Sequence, residues 1–68
     1  MTWNYRVMVK DGELAIYEVF YRADGSVEGW TENPVFPRAS TLKELQLELQ
    51  RYAEALNKEV LPHARPAP

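Results

Sequence analysis

Apolar and polar residues alternate over residues 3–9, a pattern typical of a β-strand with one buried face. Residues 14–21 differ, because only Glu18 interrupts a run of apolar and aromatic side chains. Such a strand is usually central in its sheet and covered on both faces. Asp11-Gly12 separates the two segments and supplies the positive backbone φ that a hairpin turn needs. The pattern therefore predicts an antiparallel hairpin.

A weaker third strand is predicted over residues 27–32, after a second turn at Asp24-Gly25. Pro34 and Pro37 cannot donate to a ladder, so strand pairing is expected to stop near Asn33. Together these segments predict a three-stranded antiparallel meander.

The motif Thr41-Leu42-Lys43-Glu44 is a capping box and predicts that a helix begins there and runs to about residue 57. At 100° per residue, six apolar side chains fall within an arc of roughly 100°, which predicts the face that packs on the sheet. These residues are Leu42, Leu45, Leu49, Tyr52, Ala53 and Leu56. Leu47 lies on the opposite side among charged residues. Val60 and Leu61 follow the helix and can fold back.

The predicted fold class is α+β, a three-stranded antiparallel meander followed by one C-terminal helix (β-β-β-α). Residues 1–61 are expected to form a single domain, and residues 62–68 a disordered tail rich in proline and alanine.

Two registers of the first hairpin are open. A two-residue turn pairs Val9 with Leu14 and places Glu18 among apolar residues on the face of Tyr5. A three-residue turn with a glycine bulge pairs Met8 with Leu14 and places Glu18 beside Arg6 on the other face. We favour the second register, because burying an unpaired carboxylate is costly.

In both registers each face of the sheet carries large apolar side chains, whereas one helix covers only one face. An uncovered apolar face of that size is rare on a monomer, so we expect self-association as a homodimer, with a protein partner as a further possibility. The candidate interaction surface comprises Met8, Leu14, Ile16, Phe20, Trp30 and Leu47.

Composition removes several classes of function. The 68 residues include no cysteine and a single histidine, which excludes disulfides, thiolate metal sites and multi-histidine sites. Neither a metal nor a cofactor is expected. The net charge of −2, with dispersed cations, disfavours nucleic acid as a partner. No apolar run has the length of a membrane span, and the first residues lack the apolar stretch of a signal peptide, so we expect a cytoplasmic protein without a membrane partner.

No catalytic residue is predicted, and the chain is not expected to be an enzyme. His63 lies in the proline-rich tail, where nothing is expected to position it as a general base. Glu18, Glu28 and Glu32 can approach one another on neighbouring strands, but ordinary salt bridges account for them better than a carboxylate pair in an apolar pocket.

The chain resembles the HicB-like antitoxin domains in its order of three strands, a Pro-x-x-Pro segment and a capped helix. The residues that carry the likeness are Tyr5, residues 14–21, Pro34-Val35-Phe36-Pro37 and Thr41-Leu42-Lys43-Glu44-Leu45. The resemblance implies a partial ribonuclease-H-like fold. The opening Trp3-Asn4-Tyr5-Arg6-Val7 is also similar to a group of short bacterial proteins, a closer likeness that implies no activity.

The sequence thus predicts a non-catalytic interaction or regulatory module, homodimeric and antitoxin-like in fold. The alternative is a module that binds single-stranded nucleic acid by stacking bases on the aromatic side chains of the sheet.

Overall fold

The computed structural model describes residues 2–63. Its elements are strands β1 (Thr2–Lys10), β2 (Glu13–Tyr21) and β3 (Val27–Trp30), helix α1 (Leu42–Ala55) and strand β4 (Leu61–Pro62). The α+β class is confirmed. The sheet, however, has four strands in the order β3-β2-β1-β4, and β4 runs parallel to β1, so it is mixed and is not a pure antiparallel meander.

The register of the β1–β2 hairpin is the one that we did not favour. Val9 pairs with Leu14 and Tyr5 pairs with Glu18. Asp11 and Gly12 both have positive φ, at 53° and 79°, as a two-residue hairpin turn requires. Glu18 consequently lies on the face of Tyr5, but it is only half-buried at the edge of an open cleft, which reduces the desolvation cost that argued against this register.

Helix α1 packs on this face of the sheet, with Tyr52 and Ala55 against Tyr5 and Val7. Leu45 and Glu48 are half-buried on the same side of the helix, whereas three leucines of the predicted core stripe are exposed. The predicted stripe is therefore confirmed for Leu45 and Tyr52 and wrong for the exposed leucines, because the buried side is rotated by roughly 70° from the centre of the stripe at 100° per residue. The reason is that the Tyr52 ring packs on Tyr5 and Glu48 accepts a hydrogen bond from the Tyr5 hydroxyl, so the Glu48 side of α1 faces the sheet.

The helix begins as predicted. Thr41 is the N-cap residue, and its Oγ1 accepts a hydrogen bond from the backbone N–H of Glu44 at 3.2 Å. One of the free amides of the first turn is thereby satisfied.

The second face of the sheet is covered by the end of the described chain. Met8, Tyr17 and Val19 are buried there, with Trp30 and Leu61 packed against them. The backbone N–H of His63 donates to the Val9 carbonyl at 2.9 Å, which extends the β1–β4 pairing. The expectation that this face is bare is therefore wrong, because residues that follow the helix fold back over it.

Pro62 and His63, which we assigned to a disordered tail, are thus part of the fold. Residues 64–68, the remainder of that predicted tail, lie outside the described residues. We call residues 59–63, which follow the helix and fold back on the sheet, the returning segment. A further hydrogen bond holds this segment, because Arg6 Nη2 donates to the Glu59 carbonyl at 2.9 Å. The sheet is therefore covered by α1 on one face and by the returning segment on the other.

Candidate functional site

The six residues of the predicted interaction surface do not form one surface. Leu14, Ile16 and Phe20 share the face on which α1 packs, whereas Met8 and Trp30 belong to the opposite face. Leu47 lies on the helix, away from the sheet.

The six residues also differ in accessibility. Met8 is 1% exposed and is not accessible to a partner, and Ile16, Phe20 and Trp30 are half-buried. Leu14 and Leu47 are exposed. Only these two present most of their side chain to solvent.

Three leucines that the sequence pattern predicts in the core are exposed, two on α1 and one at its C-cap. Leu42, Leu49 and Leu56 are exposed by 74%, 49% and 69%, and they recur every seven residues. Their seven-residue spacing is visible in the sequence and is compatible both with contact with the sheet and with exposure. Helices that pack against one another carry two apolar positions in every seven residues, and these leucines supply one of the two.

A cleft between α1 and the loop that precedes it contains a cluster of polar side chains. Tyr5 Oη donates to Glu48 Oε2 at 2.8 Å, and the rings of Tyr5 and Tyr52 lie 4.3 Å apart. Glu18 and Arg38 also line this cleft, whose volume is about 420 Å³. The sequence did not predict the cluster, because it depends on the hairpin register and on the rotation of the helix.

The tyrosines of the cleft are weak acids. Burial, followed by the hydrogen bond to Glu48, raises the pKa of Tyr5 well above its ordinary value. Burial also raises the pKa of Tyr52, and the carboxylates of Glu48 and Glu18 add to this effect. Both phenols are therefore protonated at neutral pH, and the Tyr5 hydroxyl acts as a hydrogen-bond donor to Glu48.

Glu48 is engaged on both of its oxygens. Its Oε2 accepts from Tyr5, and its Oε1 lies 3.6 Å from Nη1 of Arg51, one turn further along the helix. The hydrogen bond from Tyr5 links α1 to the sheet, whereas the ion pair with Arg51 lies within the helix. The geometry of the cluster therefore supports a structural role and offers no nucleophile paired with a base.

His63 is positioned, contrary to its assignment to a solvated tail. Its ring lies 4.7 Å from that of Tyr17 and 5.9 Å from that of Trp30, and its Nε2 lies 3.0 Å from the Thr31 carbonyl oxygen. A carbonyl only accepts, so this contact requires Nε2 to carry the proton. The ring thereby joins the returning segment to β2 and to the end of β3.

The acidic residues considered as a possible cluster have separate surroundings. Glu32 pairs with Lys10 at 3.6 Å, Glu28 is exposed on β3, and Glu18 lines the tyrosine cleft. Within the described part of the chain, no three histidine, aspartate or glutamate side chains are grouped so that they could hold a metal ion. Nor does any helix in residues 2–63 have the length and apolar character needed to cross a membrane.

No protein-family model matches the chain, and no curated protein or solved structure matches it either.

Proposed function

We propose that the protein is a non-catalytic interaction or regulatory module that works as a homodimer in the cytoplasm. The observation that carries this proposal is the exposure of leucines on α1. Leu42, Leu47, Leu49 and Leu56 are each about half exposed or more, although helices of globular domains usually bury such residues. These are four of the nine large apolar side chains that are exposed in the described residues, and exposed apolar surface is typical of a protein–protein contact.

The small size of the domain supports the same proposal. A chain of 68 residues without cysteine has a limited core and no disulfide to stabilise it. Association with a second copy adds buried apolar area and stabilises the folded state by mass action.

An antitoxin-like fold remains part of the proposal and has one support. The order of three strands followed by a capped helix is common to the chain and to the HicB-like domains that it resembles. By this proposal the module acts by binding to another protein and does not catalyse a reaction.

Single-stranded nucleic acid binding has less support. Tyr5 and Tyr17 are buried, and the Trp30 ring is partly covered by His63, so these rings are not free to stack on bases. The net charge of −2 gives no excess of cations for a phosphate backbone.

Sedimentation equilibrium between 5 and about 200 µM protein tests the homodimer, in the range where small interfaces associate. We expect a mass that rises to twice the chain mass. A monomer across the whole range would overturn the homodimer. Fluorescence anisotropy with a labelled single-stranded oligonucleotide tests the alternative, and salt-sensitive binding by the wild-type protein would favour it over the present proposal.

A further inference from the structure

One side of α1 carries exposed leucines and no charged side chain. At 100° per residue, Leu42, Leu49 and Leu56 lie within an arc of roughly 40°, and the adjoining positions extend this arc to roughly 120°. The adjoining residues are Gln46, Gln50 and Ala53, all exposed. We call Leu42, Leu49 and Leu56 the leucine ridge. The exposed charged residues of the helix, Lys43, Glu44, Arg51 and Glu54, all lie outside the arc.

The geometry of the leucine ridge suits a second helix. Seven residues make almost two turns, so the three side chains stand nearly in line at intervals of roughly 10 Å over a length of about 20 Å. This side of α1 is distinct from the side that Tyr52 and Ala55 press against the sheet. A partner helix can therefore dock on the leucine ridge without unfolding the domain.

We propose that the leucine ridge is the homodimer interface and that a second copy of α1 covers it in antiparallel orientation. The ridge is symmetric about Leu49, so a two-fold axis beside this residue brings Leu49 against its counterpart. The same axis brings Leu42 of one protomer against Leu56 of the other. A contact of this kind is isologous and closes at two subunits.

Charge favours a second copy over a charged partner. Two identical faces bring like charges together if they contain any, and this face contains none. A partner with a basic or acidic surface, by contrast, would find no opposite charge within the arc. The glutamines at the rim can hydrogen-bond with each other or with water across the interface.

The area of contact limits the expected affinity. Two helices of 14 residues bury an interface at the low end of the range for specific complexes. We therefore expect association in the micromolar range, with dimer and monomer both present in a dilution series.

The inference rests on the homodimer proposed above, and it can be wrong even if the protein is a homodimer. The test compares Leu49→Lys with Leu47→Lys. Leu47 is a matched control, because it is 52% exposed against 49% for Leu49 and lies on the same helix, but it points away from the leucine ridge. Both positions are accessible to solvent, so both variants are expected to keep the far-ultraviolet circular dichroism of the wild type.

In sedimentation equilibrium, Leu49→Lys is expected to raise the dimer dissociation constant at least about 100-fold, because two lysines meet at the two-fold axis. Leu47→Lys is expected to leave it within about threefold of wild type, as for a residue outside the contact. If Leu49→Lys dimerises like the wild type, or if Leu47→Lys alone disrupts the dimer, the leucine ridge is not the interface and the homodimer stands on another surface. A monomeric wild type overturns both proposals.

Orientation is tested with the double variant Leu42→Lys/Leu56→Glu. In an antiparallel pair each lysine meets a glutamate of the other protomer, so dimers are expected to persist and to weaken with added salt. In a parallel pair, lysine meets lysine and glutamate meets glutamate. Loss of the dimer in this variant, with loss in Leu49→Lys as well, would overturn the antiparallel arrangement.

Discussion

Replacement of His63 by alanine measures how firmly the returning segment holds the second face of the sheet. The substitution removes two aromatic contacts, with Tyr17 and Trp30, and a hydrogen bond to the Thr31 carbonyl. Each aromatic contact contributes about 0.5–1.5 kcal/mol and the hydrogen bond a similar amount, so the loss sums to about 1.5–4.5 kcal/mol. Because His63 is half-buried, we expect the lower half of that range. The backbone bond to Val9 remains.

The assay is urea unfolding followed by circular dichroism at one fixed protein concentration, with His63→Phe as the control. Phenylalanine keeps an aromatic ring between Tyr17 and Trp30 but cannot donate to Thr31, so we expect it to cost only the hydrogen bond, about 0.5–1.5 kcal/mol. For a domain with a total stability of about 5 kcal/mol, the alanine variant should show a clearly lower midpoint. A His63→Ala midpoint equal to that of wild type would show that this residue behaves as a solvated tail after all.

Three further predictions follow from the positions of single side chains. Met8→Ala is expected to lower the free energy of unfolding in urea by about 2–5 kcal/mol, because Met8 is buried. Leu14→Ala, at an exposed position, should stay within about 0.5 kcal/mol of wild type. Equal costs for the two variants would contradict the assigned faces. The raised pKa of Tyr5 means that the folded state holds the phenolic proton more tightly than the unfolded chain does, so stability is lost as pH rises above about 10. Between pH 8 and 11, the melting temperature of Tyr5→Phe should therefore fall less steeply than that of the wild type. Thr41→Ala is expected to cost about 1 kcal/mol in the same urea assay through the lost cap, and Thr41→Ser, which keeps the hydroxyl, should cost much less.

Local signals in the sequence predicted the elements well. Alternation identified β1, the apolar run identified β2 as a central strand, and the capping box identified the first residue of α1. Each of these signals depends on residues that are neighbours in the chain. The first two strands and the helix could therefore be found without knowledge of the rest of the molecule.

Features that depend on distant contacts could not be predicted in the same way. The hairpin register was wrong because the exposure of Glu18 depends on a cleft that forms only when α1 packs on the sheet. The core side of α1 was predicted only in part: Tyr52 belongs to the predicted stripe and is buried, but the exposed leucines shift the centre of that stripe away from Glu48 and Ala55. Strand β4 has only two residues, one of them proline, and no local pattern marks so short a strand.

The candidate interaction surface shows the same limit. Leu14 and Leu47 were predicted to be accessible and are exposed, but Met8 was assigned to an open face that the returning segment closes. Nothing in residues 3–9 indicates what will cover them, since the covering residues lie beyond the helix.

The pairing of β4 with β1 also affects the order in which the chain can fold during synthesis. Leu61 and Pro62 pair with Met8 and Val9, so the first and the last strand of the described chain lie side by side in one sheet. During synthesis β1 and β2 leave the ribosome before residues 61–63, so one edge of β1 and the apolar side of Met8 have no cover until those residues emerge. Over that interval the open edge can accept a strand from a neighbouring chain. Slow translation of the helix would lengthen this interval, and rapid completion of residues 59–63 would shorten it.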